Sequence, residues 1–266
     1  MTTLAIVTDA DASLPAALQT ALGIRTAPLE APLLVDQETI PRLRSEAGAV
    51  PTAEALAACN AAIEGGASAI LYLAAGDGYG TPPDLESALA SLEVDVTIEQ
   101  TEGALMGAGW QAIAAAEAIR DGGGLPEALA AARRVRAAVN VLVMLEHPEM
   151  ASAAGNAELG IVRHRALVYL RGPEVSIISR PTRREAALAL LRDRFAESVT
   201  APARAHVAVQ HASAGPGADA LARWIERELA PARLVVAPIT RHAATRLGPR
   251  VLAVAWYEDP IEGQPD

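Results

Sequence analysis

Residues 4–29 read LAIVTDADASLPAALQTALGIRTAPL. The run over 4–8 is compact and apolar, stops at Asp9, and passes through Asp11 and Ser13 into a helix-like stretch over 14–22 that Gly23 ends. Ser13 is a candidate N-cap with Pro15 in the first turn, and 24–29 has the composition of a second strand. Strand, helix and strand in such close order predict a βαβ unit, and with it an α/β protein.

Working outward, 30–50 carries Pro32 and Pro41 with mixed charge and little periodicity, and is expected to be a connection with a short helix over 40–46. Thr52 is the expected cap of a helix over 53–64 ended by Gly65 and Gly66. A buried strand over 69–73 then runs into AAGDGYGTPPD at 74–84. Such a strand delivering a glycine-rich loop is a common ligand-binding geometry of open α/β sheets. A helix over 84–92, a strand over 94–99, an alanine-rich helix to Arg120 opened by QTEGALMGAG at 100–109, a helix over 125–136 and a strand over 139–145 follow. Arg133, Arg134 and Arg136 sit at the helix end where cations complement the dipole. These elements predict a parallel-sheet α/β domain over 1–155.

EHPEMASAAGNAELG, at 146–160, is small, polar and proline-punctuated, as a linker is. Beyond it the strands come faster: a hairpin of 166–170 with 175–178 about Gly172 and Pro173. A helix over 183–195, a strand over 206–210, a helix over 217–229 and strands over 233–238 and 251–256 complete the pattern. They predict a mixed-sheet α+β domain over 156–266.

The 266 residues are 51% hydrophobic with a formal net charge of −10, and all 22 basic residues are Arg. Without lysine there is no Schiff-base chemistry and no Walker lysine. The acidic balance opposes a nucleic-acid-binding face. Aromatics make up 3%, with Phe195 the single Phe, so the core is expected to be aliphatic. Cys59, the single cysteine, forbids an intramolecular disulfide and is expected to be buried and inert; a reducing cytoplasm is the expected location. The opening segment resembles neither a signal peptide nor a membrane span, and no transmembrane segment is expected.

His147, His164, His206, His211 and His242 show no metal-ligand spacing, so no metal site is expected, and strand-end packing is the plainer reading of His206 and His211. No GxSxG elbow is present. The loop at 76–81 is open to two readings, an anion cradle before a helix or a tight turn using Gly76, Gly78 and Gly80. Gly107 and Gly109 are read as close packing of a helix on a sheet. In TRLGPRVLAVAWY, at 245–257, Thr245 and Arg246 precede a core strand. The planar fork of an arginine there suits a carboxylate, though a surface arginine is equally compatible.

In order, these segments resemble the DegV family, bacterial two-domain proteins that bind a fatty acid. LAIVTDADASLPAAL at 4–18 is similar to the family's opening strand and Thr-Asp-Ser-type loop, and LGIRTAPL at 22–29 to its Gly-Ile strand ending in Pro-Leu. Gly80-Thr81 falls at its Ser-Gly-Thr loop and ALMGAG at 104–109 at its Met-Gly-x-Gly helix start. Leu145-Glu146 matches its Leu-Glu, PTRREAA at 181–187 its Arg-Thr-Arg segment, and 245–257 its Thr-His-Thr-Gly-Pro-Gly segment and last strand. The resemblance implies an acyl chain in an apolar tunnel through the first domain, its carboxylate held at the domain interface, and presentation to a separate fatty-acid kinase.

Carried over residue by residue, the ligand-binding set is Thr8, Asp9, Tyr79, Gly80, Thr81, Thr245 and Arg246, with Arg183 facing the kinase. Departures fall on the head-group positions. Tyr79 stands at the family serine, Arg246 at the family histidine and Pro181 at the first arginine of the kinase-facing segment. The Thr-Ser-Gln-Pro loop is not recognisable in 30–52, and PEMASAAG replaces Gly-Gly-Arg-Ile. Arg246 with Thr81, Thr245 and the Tyr79 hydroxyl is the expected carboxylate clamp. The expectation is a non-catalytic lipid carrier without cofactor. Its alternatives are a transferase or kinase-like subunit holding a phosphate at 76–81, and a regulatory relative without a ligand.

Overall fold

The computed structural model describes residues 3–28, 51–74, 82, 84–148, 165–171 and 174–261. The expected helix over 40–46, most of the expected linker, and Tyr79, Gly80, Thr81 and His164 lie outside the described residues.

The opening βαβ unit forms as expected: β1 (Leu4–Asp9), α1 (Ala16–Leu22) and β2 (Arg25–Ala27). Next come α2 (Thr52–Glu64), β3 (Ala69–Ala74), α3 (Leu85–Leu89), β4 (Asp95–Gln100), α4 (Met106–Arg120), α5 (Leu125–Ala138) and β5 (Asn140–Leu145). The remainder holds the hairpin β6 (Ala166–Arg171) and β7 (Glu174–Ser179), then α6 (Arg184–Ser198), β8 (Ala205–His211), α7 (Gly215–Leu229), β9 (Arg233–Pro238), α8 (Arg241–Leu247) and β10 (Leu252–Glu258). Among the described residues two sheets result. One is parallel in the order β2-β1-β3-β4; the other is mixed in the order β7-β6-β5-β10-β8-β9.

Three expectations need correction. The strand over 139–145, expected to close the parallel sheet, pairs antiparallel with β6 and β10 in the second sheet. Its unbroken apolar run reflects cover on both faces, which a central antiparallel strand shares with a parallel one. Ser13 is not a helix cap. It takes the left-handed conformation at φ 46° and closes a 3-10 turn over Ala10–Ala12, while Pro15 precedes α1. Thr52 is likewise the first helical residue of α2 rather than its cap, with Pro51 before it.

The period of two along the strands explains the layering. In β10, Ala253, Ala255 and Tyr257 face one core while Leu252, Val254 and Trp256 face another; in β5, Val141, Val143 and Leu145 oppose Leu142 and Met144 in the same way. In β3, Leu71 and Leu73 point toward α4, and Ile70, Tyr72 and Ala74 point toward α2. Five layers follow: α2 and α3, the parallel sheet, α4 and α5, the mixed sheet, then α6 and α7. Cys59 lies fully buried in the α2 layer, and burial pushes its thiol up to about 12, as an inert cysteine requires.

Helix α4 is the shared layer and is buried nearly all round, which is why its sequence is alanine rather than an amphipathic stripe. The two glycines near its start let it approach both sheets. A methyl group on Gly107 would lie 2.8 Å from Val141 Cγ2, and one on Gly109 would lie 3.0 Å from the Ala12 carbonyl oxygen. Close backbone packing is therefore their role, as expected.

Candidate functional site

The turn after β1, the start of α4, the end of β8 and helix α8 meet where the carboxyl ends of the parallel strands face the mixed sheet. This is the edge at which open α/β sheets hold ligands. Buried hydrogen bonds fix the junction. Gln210, fully buried at the end of β8, donates from Nε2 to the Ser13 carbonyl (3.1 Å), and its Oε1 accepts the Met106 N–H at the start of α4 (2.8 Å). Thr240 donates its hydroxyl to the Ala10 carbonyl (3.0 Å) and its N–H to Ser13 Oγ (3.2 Å), while its Oγ1 caps α8 by accepting the Ala243 N–H. The left-handed turn at Ser13 presents its carbonyl and hydroxyl to these partners.

Asp11, in the 3-10 turn, is 4% exposed, and Arg246, on α8, is 3% exposed. The guanidinium donates from Nη1 to Asp11 Oδ2 at 2.5 Å, and His242 Nε2 lies 3.6 Å from the same oxygen. Burial pulls the guanidinium down to about 10, and the nearby charges of Asp11 and Asp9 work against that shift. Asp9 in turn accepts from the hydroxyl of Tyr72 on β3. Burial first, and then the Asp9 carboxylate, holds that phenol far above its ordinary value, so it stays protonated and donating.

Of the sequence-predicted residues, Asp9 and Arg246 are brought into electrostatic contact. Thr8 and Thr245 are buried, but each hydroxyl already donates to a carbonyl: Thr8 to Leu73 (2.8 Å) and Thr245 to His242 (2.7 Å). A hydroxyl has one proton, so neither offers a donor to a further group as placed. Arg183 is exposed at the start of α6. Asp11, Ser13, Gln210, Thr240 and His242 were not expected in the site. Asp11 stands in the motif quoted for β1, yet nothing in the local pattern marks its partner. His206 and His211 are structural. The first pairs with Asp259 at 2.7 Å and stacks on Tyr257; the second takes the Ala214 N–H on Nδ1, and burial moves its pKa below the ordinary histidine value.

Beside Arg183, Glu146 accepts from Arg165 and from Arg184, the latter at 2.6 Å, and so ties the end of β5 to the start of α6. Burial raises this carboxyl, but the two guanidinium groups outweigh it and hold it below its ordinary value. A depressed folded value means that the stabilisation is present above the unfolded carboxylate range near about 4.3 and is lost as pH falls through the folded value. Glu146→Gln should lower stability at pH 7 by about 1.5–3 kcal/mol, the range for hydrogen bonds to a charged group. Thermal melts of both proteins from pH 7 down to pH 3 should converge at the acid end. A constant gap across that range would show that the ionised form is not what the arginines hold.

No family model and no curated protein matches the chain. Solved structures do. A fatty-acid-binding DegV family protein from Thermus thermophilus superposes with a TM-score of 0.80 at 20% identity, over 97% of this chain and 100% of that one. DegV from Bacillus subtilis, described as a fatty acid binding protein, gives 0.78 at 16% identity over 97% and 100%. A stearic-acid-binding protein from Eubacterium ventriosum gives 0.76 at 11% identity over 97% and 98%. The chain therefore has the two-domain α/β fold of DegV proteins.

Proposed function

We propose that the chain binds a long-chain fatty acid without transforming it, as a carrier. The observation that carries this reading is the likeness above: it extends over nearly the whole of both chains to proteins described as binding fatty acids. The residues are compatible with it. The chain has no lysine, its one thiol is buried and held protonated, and the hydroxyls of Thr8 and Thr245 are committed to carbonyls. No helix among the described residues is long and apolar enough to cross a membrane.

We place the acyl chain within the first domain and its polar end near Arg246 and Asp9. The layer between the parallel sheet and α2 is built largely of small side chains, among them Ala27, Ala55, Ala58 and Ala62. Each methylene buried contributes about 0.8 kcal/mol, so a long chain supplies on the order of 10 kcal/mol before the cost of association. Presentation to a fatty-acid kinase through the exposed Arg183 would follow from the same reading.

Native mass spectrometry of the purified protein, followed by solvent extraction, tests it. A co-purifying fatty acid in near-stoichiometric amount is expected, and its mass reads out chain length and saturation. A protein that is bare and stays bare after incubation with saturated and unsaturated fatty acids would overturn the carrier reading.

A further inference from the structure

A second polar cleft lies toward the opposite ends of α4 and β10 from the junction around Arg246. There α4, α5 and the last residues of β10 leave an open cavity of about 510 Å³. Its walls are small and apolar, with Ala114 and Ala118 from α4 and Ala131, Val135 and Ala138 from α5. Its charged lining is Glu117, Asp121, Glu258 and Asp259 against one cation, Arg134.

Tyr257 also lines this cleft. It is 6% exposed, its ring stacks on His206 and meets Trp110 edge-on, and its hydroxyl has no hydrogen-bond partner among the described residues. A phenol held by packing and left unpaired at a cavity wall is open to a ligand. Two carboxylate oxygens are open beside it. Glu117 accepts Arg233 Nη2 on Oε1 at 2.8 Å, and Asp259 meets His206 Nε2 through Oδ2 at 2.7 Å, which leaves Glu117 Oε2 and Asp259 Oδ1 without partners among the described residues. Glu258 is already engaged, because the Thr200 N–H and hydroxyl and the Ala201 N–H occupy both of its oxygens.

The charges that reach this phenol fix the sign of the site. Burial raises its pKa first, and Asp259 and Glu117 push it up by more than Arg233 and Arg134 pull it down, so the field at the hydroxyl favours a cation. Arg233 Nη1 and His206 Nδ1 are buried nitrogens without partners among the described residues, but neither residue lines the cleft. We propose that the cleft binds a protonated aliphatic amine, whose ammonium donates to Glu117 Oε2, Asp259 Oδ1 and the Tyr257 oxygen while its methylenes lie along the alanines of α4 and α5. An ammonium has N–H donors for all these acceptors and no lone pair to repel them, and an alkyl stem suits the apolar wall. A diamine brings a second ammonium to Asp121, exposed at the rim. The site is separate from the acyl chain and does not rest on the carrier reading.

Amide chemical-shift titration of the full chain at low ionic strength tests this with cadaverine and, as the matched anion, glutarate. Both ends of each probe are charged, so neither imitates an acyl chain. Cadaverine should give saturable shifts confined to 114–121, 131–138 and 257–259, and glutarate none there. Tyr257→Phe keeps the ring and its packing, and should weaken cadaverine about tenfold, the fold-change of one hydrogen bond to a charged group. Glu117→Gln should weaken it at least as much. Shifts scattered over the acidic surface and unchanged in Tyr257→Phe would reduce the effect to attraction by the net charge of −10, and the proposal would fall. Glutarate binding in the cleft, or no saturable shift with cadaverine, would sink it equally. Should either variant not fold, the contrast between the two probes on the unaltered protein still decides.

Discussion

Arg246→Ala is expected to lower the stability of the protein by about 3–5 kcal/mol, because it strands the Asp11 carboxylate in the interior with its one strong donor removed. That loss is the penalty of an uncompensated buried charge. It is distinct from the net contribution of the pair, which desolvation of both groups reduces to something small. The double variant Arg246→Met with Asp11→Ala should accordingly recover most of the loss, since well-packed apolar groups often replace a buried ion pair at little cost. Chemical denaturation of the two variants beside the unaltered protein measures this. A single variant within about 1 kcal/mol of the unaltered protein, the level of an exposed pair, would mean that solvent reaches Asp11.

The second large effect is expected at Trp110, fully buried in α4. Its ring meets Tyr257 and His206 edge-on, each with centroids 5.8 Å apart, and its indole N–H donates to the Ala255 carbonyl at 3.2 Å. Trp110→Ala removes the largest side chain between the two sheets and should cost about 3–5 kcal/mol, the range for large-to-small changes in a core. Trp110→Phe keeps most of the volume and loses the hydrogen bond, so it should cost distinctly less. Equal losses in the two variants, read from denaturation midpoints, would shift the explanation from packing to the hydrogen bond alone. Because α4 belongs to the cores of both sheets, the transition should remain a single one whether followed by tryptophan fluorescence or by backbone circular dichroism.

Much of this fold is legible in local pattern. The apolar run before Asp9, the helix stopped by Gly23 and the strand after it name a βαβ unit without help from distant residues. Gly107 and Gly109 likewise announce a close approach. Strand 140–145 is legible as a strand, but its sheet is not. A run apolar on both faces says that both faces are covered, and says nothing of which neighbours pair with it or in which direction. Helix α8 escaped because its sequence, RHAATRL, is short and lacks an apolar periodicity. Its cap, Thr240, is recognisable only once its hydroxyl is seen between the helix and the Ala10 carbonyl.

For the site, the sequence by itself determined which residues have useful chemistry: Asp9, Thr245 and Arg246 are visible as an acid, a hydroxyl and a fork-shaped cation in suggestive places. Tertiary structure alone decided what that chemistry is directed at. The Thr8 and Thr245 hydroxyls look available in the sequence and are engaged by carbonyls in the fold. Arg246 looks like a clamp for an incoming carboxylate, yet it holds one supplied by the chain itself, from a turn 235 residues away. Composition and periodicity report on neighbours within a few residues, because they arise from the geometry of a helix or a strand. The partner of a buried charge is fixed by which loops two separate sheets bring to one edge, and no local pattern encodes that.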